Sequence, residues 1–85
     1  MRKFKVGDKV KFKREYYNGI AEGSGVIAYI NPDGEMIIKG YEGDGGQNAS
    51  QSYPEYNIKA GDRYRMVALG YCTLIRNSRI TKKYT

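Results

Sequence analysis

Residues 3–14 alternate between apolar and charged side chains. Phe4, Val6, Val10 and Phe12 take one parity; Lys3, Lys5, Lys9, Lys11 and Lys13 take the other. A period of two marks a strand with one face buried and one in water, because successive side chains leave a pleated backbone on opposite sides. Gly7-Asp8 interrupts the run, which predicts a bend and then a strand from Lys9 to Arg14. Tyr16-Tyr17-Asn18-Gly19 reads as a turn, with Asn-Gly suited to positive φ, and residues 21–25, AEGSG, read as loop. The β-branched and aromatic run Gly25–Ile30 predicts a strand. Asn31-Pro32-Asp33-Gly34 predicts the turn that follows: proline presets φ at the first central position and Gly34 tolerates the closing one. Glu35–Tyr41 returns as the partner strand.

From residue 42 to residue 62 the chain reads as one long loop. Between Glu42 and Ser52 its only apolar side chain is Ala49. Tyr53-Pro54-Glu55-Tyr56 is expected to be ordered and 43–52 to move. Strand composition resumes over 63–69 and 71–76, and 79–84 alternates weakly as a closing strand or tail. No stretch of ten residues holds a helical period, and there is no internal repeat. The pattern predicts a single all-β domain over residues 1–85, a barrel of five or six short strands with one long loop at 42–62.

Val6-Gly7-Asp8-Lys9-Val10-Lys11-Phe12, followed by Gly23-Ser24-Gly25-Val26-Ile27-Ala28-Tyr29-Ile30, resembles an SH3-like barrel of the KOW or Tudor type. The resemblance covers roughly residues 4–40. It implies a loop between the first two strands and a chain closure that brings the last strand near the first. KOW-type domains often bind RNA or protein, which makes a binding role the expectation. Loops of that type commonly carry a basic residue beside the glycine; here Glu22 stands there, so no contact residue is transferred by resemblance.

Charge adds a second pattern. The chain carries a formal net charge of +6. Residues 1–14 hold seven basic side chains against Asp8, residues 15–62 hold two against eight acids, and residues 63–85 hold six and no acid. Two basic ends that meet in space make a patch that attracts polyanions. The first candidate interface is therefore for nucleic acid, RNA or DNA. Lys9, Lys11, Lys13, Arg14, Arg76, Arg79, Lys82 and Lys83 would contact phosphates, with Tyr16 and Tyr17 stacking on bases.

A second candidate uses the long loop. Small, lysine- and tyrosine-rich chains of this size resemble phage-encoded accessory proteins that disable host systems. In that reading Tyr41, Tyr53 and Tyr56, with Arg63 and Arg65 at the loop's exit, recognise a host protein or a nucleotide. A third reading is an assembly subunit that pairs through exposed edge strands.

Other chemistry is disfavoured. The chain has no histidine, the commonest general base and metal ligand, so no catalytic or metal site and no cofactor is expected. Cys72, the single cysteine, sits in a strand-like run and reads as a buried, inert thiol. The glycines of 40–46 lack the ending of a phosphate-binding P-loop. No apolar run approaches eighteen residues and the N-terminus has no apolar signal region, so a cytoplasmic protein without membrane contact is expected.

Overall fold

A computed structural model describes residues 4–76. It contains six strands: β1 Lys9–Tyr16, β2 Gly19–Ile30, β3 Glu35–Gly43, β4 Gln47–Asn48, β5 Arg63–Ala68 and β6 Cys72–Arg76. Two 3-10 turns, Pro54–Tyr56 and Leu69–Tyr71, are the only helical elements among the described residues. The fold is all-β. All pairings are antiparallel, in the order β4-β5-β3-β2-β1-β6.

The β2–β3 hairpin forms where its turn chemistry predicts. Asn31 Oδ1 accepts the Asp33 amide at 2.7 Å, and the Gly34 amide donates to Asn31 O at 3.0 Å. The predicted bend at Gly7-Asp8 is also present. Asp8 is fully buried, its carboxylate accepts the Lys5 amide at 2.9 Å, and its backbone oxygen accepts the Ile27 amide at 2.8 Å.

One expectation is corrected in β2. Residues 21–25 are strand, not loop: β1 pairs with β2 from Lys9↔Val26 to Tyr16↔Gly19, leaving only Tyr17-Asn18 as the turn. The loop expected between the first two strands is therefore a tight hairpin. The glycines that suggested a loop serve close packing. A Cβ on Gly23 would collide with the ring of Tyr41, so only glycine lets the strand pass there.

One sheet face builds the main core. Val10, Phe12, Ile27, Met36, Ile38, Tyr41, Val67 and Cys72 cluster there, drawn from every strand except β4. Tyr41 joins them because Gly40, at φ 62°, resets the alternation of β3; without that shift Tyr41 would share the face of Ile37. The sheet rolls over this core. Arg65 on β5 lies 4.7 Å above the Phe12 ring and donates to the Tyr16 hydroxyl at 3.1 Å, although β3 and β2 separate β5 from β1 in the sheet order.

The opposite face is covered at one end by the long connection. Ala49 and Ile58, 5% and 2% exposed, pack on Ala28 and Ile37, flanked by Tyr29, Tyr53 and Tyr64. Residues 43–52, expected to move, are hydrogen-bonded to their surroundings. Asp44 exchanges two bonds with the Glu22 backbone, β4 pairs with β5, and Ala49 bonds Asp62 and Gly61. Pro54–Tyr56 forms a 3-10 turn. Asn57, in the left-handed conformation, ends this turn and donates its side-chain amide to Ala28 O at 2.8 Å.

Candidate nucleic-acid interface

The outer face of β1 carries Lys9, Lys11 and Lys13, all exposed, because Val10 and Phe12 take the opposite parity into the core. Side chains two apart on a strand stand about 6.8 Å from one another, so the three lysines leave β1 in a row about 14 Å long. Both neighbouring strands flank the row. Lys11 lies opposite Ser24 of β2 and Thr73 of β6; Lys13 faces Glu22; Lys9 pairs with Val26 and, at the backbone, with Arg76. β6 thus lies beside β1, with Arg76 opposite Lys9 along the backbone. Arg79, Lys82 and Lys83 lie outside the described residues.

At the end of the row the chain turns from lysine to stacked arginine. Arg14, half-buried on the inward parity, sets its guanidinium carbon 4.9 Å from the Tyr16 ring centroid and 4.5 Å from that of Tyr71. Tyr16 and Tyr71 keep 40% and 44% of their surface exposed, and Tyr17 at the hairpin tip is fully exposed. Arg65 steadies this rim: one guanidinium nitrogen holds the Tyr16 hydroxyl and the other donates to Asp44 O at 2.6 Å. The sequence singled out Tyr16 and Tyr17 but assigned Tyr71 to a strand. The run Leu69-Gly70-Tyr71 forms a 3-10 turn instead, and that turn swings the ring onto Arg14.

The structure distributes the second candidate set over both faces of the sheet. Tyr41 is fully buried, and its hydroxyl donates to Asp44 O at 2.7 Å, so it presents no surface to a ligand. Burial pushes this hydroxyl above its ordinary pKa of 10.0, outweighing the opposing pull of Arg65. Tyr53 and Tyr56 belong to the opposite sheet face, where Tyr56 meets Tyr29 edge-on at 5.0 Å. Arg65 is held by Tyr16 and Asp44 on the core side, and Arg63 approaches Gly43 O at 3.5 Å. What remains on the loop side is a shallow apolar hollow between Ile37, Tyr53, Tyr56, Ile58, Tyr64 and Met66.

Among the described residues no group of three or more His, Cys, Asp or Glu side chains is placed to hold a metal ion. Cys72 is buried, and desolvation raises its thiol to about 11, so it is protonated and unreactive at neutral pH. No helix of the described residues is long and apolar enough to cross a membrane. Comparison of the chain with protein-family models, curated proteins and solved structures found no match.

Proposed function

We propose that this chain is a non-enzymatic nucleic-acid-binding module of the SH3-like kind, with the lysine row of β1 as its phosphate-contacting surface. The pairing of β6 with β1 carries the reading. It brings β6, which ends at Arg76, alongside the basic first strand, which supports a joint patch. That same closure of last strand onto first is what the SH3-like resemblance implies. A row of three exposed ammonium groups also suits a polyanion.

The test is the salt dependence of binding to a labelled oligonucleotide, read by fluorescence anisotropy. Three neutralised phosphates give a slope of log affinity on log salt of about −2 to −3, hence a loss of roughly 20- to 40-fold between 50 and 200 mM salt. Replacing Lys9, Lys11 and Lys13 by alanine removes that dependence while the fold persists, because all three side chains are exposed. A flat salt response in the wild type refutes the proposal. A second reading, a protein partner or nucleotide at the loop face, is favoured by the apolar hollow with Met66 50% and Tyr56 36% exposed beside it.

A further inference from the structure

A groove of about 520 Å³ runs between the end of β1 and the Leu69–Tyr71 turn, lined by Lys13, Arg14 and Glu15 on one side and Gly70, Tyr71 and Thr73 on the other. Its composition differs from that of the lysine row. One aromatic ring stands at its wall, 44% exposed, with the Arg14 guanidinium stacked 4.5 Å from its centroid. Glu15 and Thr73 offer hydrogen-bonding groups, and Lys13, the last lysine of the row, stands at the edge. The space beside Gly70 is open: a Cβ there would meet no atom within 4 Å.

We propose that this groove receives one unpaired nucleobase, stacked on Tyr71, while Lys13 holds the adjoining phosphate. The inference rests on the nucleic-acid reading above and narrows it to single strands. Every base has a π-face, so an exposed ring backed by a cation stacks on a base whatever the sequence. In a duplex that face is covered by the neighbouring base pairs. Phosphates reach the lysine row from either kind of nucleic acid, whereas only an unpaired base enters the groove. Arg14 contributes as the backing of the ring. Its guanidinium lies against both Tyr16 and Tyr71, and Arg65 fixes Tyr16 from the other side.

The test compares a labelled 15-nucleotide oligothymidine with a 15-base-pair duplex, by anisotropy at one fixed salt concentration. The wild type binds the single strand more tightly. Tyr71→Leu keeps an apolar side chain but removes the aromatic face, and lowers single-strand affinity roughly 5- to 150-fold, the range expected for one stacked base. Its duplex affinity stays within about twofold, since duplex contacts are made through phosphates. Tyr71→Phe retains single-strand binding. Gly70→Gln fills the groove from an exposed position clear of the core, and reproduces the single-strand loss even if Tyr71→Leu disturbs folding. Equal losses for both ligands, or no loss for either, in the folded variants overturn the base-binding groove and leave the phosphate row standing. Failure of the wild type to bind either ligand overturns both.

Discussion

Replacing Ile58 by alanine distinguishes a structural cover from a slack connection. Ile58 is 2% exposed and packs with Ala49 against Ala28 and Ile37, so the long segment after β3 seals the far end of the sheet through this side chain. The substitution removes three carbons. At about 0.8 kcal/mol each that is about 2.4 kcal/mol of lost burial before any cavity term, within the roughly 2–5 kcal/mol usual for isoleucine to alanine in a core. Against a total stability of about 4–13 kcal/mol for a domain of this length, a loss near 3 kcal/mol is large. For so small a domain it lowers the melting temperature by about 12–24 °C. Thermal unfolding followed by circular dichroism reads this directly. Ile20→Ala is the control, because Ile20 is 51% exposed and its truncation should shift melting by no more than about 4 °C. If Ile58→Ala melts with the control, the segment does not share the cooperative fold and its apolar contacts contribute nothing.

Three further outcomes follow from the core. Gly23→Ala drives a methyl into the Tyr41 ring and should destabilise by at least about 1–3 kcal/mol in chemical denaturation, a penalty that shrinks in a Tyr41→Leu background where the ring is gone. Tyr41→Phe should cost only about 1 kcal/mol, because Asp44 O keeps its bond from Arg65, whereas Tyr41→Ala should cost about 3–5 kcal/mol; equal losses in urea melts would contradict this. Burial raises the Cys72 thiol from 9.0 to about 11, so the folded state holds its proton longer than the unfolded state. That stability is intact below pH 9 and is lost as pH rises toward 11. Between pH 8 and 10.5 the wild type should lose about 2 kcal/mol more than Cys72→Ala, a difference that denaturant titration at the two pH values measures. Tyr41, also raised, acts in the same direction at higher pH.

The sequence carries the strands that obey a simple period and hides those that do not. Lys9–Arg14 and the 25–41 hairpin are legible because alternation and turn chemistry are local properties. Gly23-Ser24-Gly25 misleads because its glycines answer a contact with Tyr41, 18 positions away, and propensity does not register such a contact. Tyr41 misleads for a related reason. Its parity with Ile37 predicts one face, but the positive φ of Gly40 delivers it to the other. Residues 43–52 read as a polar loop because their contacts are backbone bonds to Glu22, Asp62 and β5 and one small side chain, Ala49. In the site, the lysine row is plain in the sequence. Tyr71 is not, since its approach to Arg14 depends on a three-residue turn between β5 and β6.

The two faces of the sheet explain why the basic row stands where it does. Six strands with a core on one side leave the other side to be managed, and this chain manages its two ends differently. Over β5, β3 and the second half of β2, apolar residues Ala28 and Ile37 require a cover, which the 47–62 segment supplies through Ala49 and Ile58. Over β1 the same side carries Lys9, Lys11 and Lys13, which need no cover and would be expensive to bury. Of the eight acids of residues 15–62, Asp33 and Asp44 lie in turns and Glu55 and Asp62 in the covering segment, while Glu22 stands opposite Lys13 beside the row. A deletion of 43–52 would then expose Ile37 and undo the fold, rather than trim a loop. The loop and the lysine row are two solutions to one problem: one covers its apolar residues, the other leaves charged ones exposed.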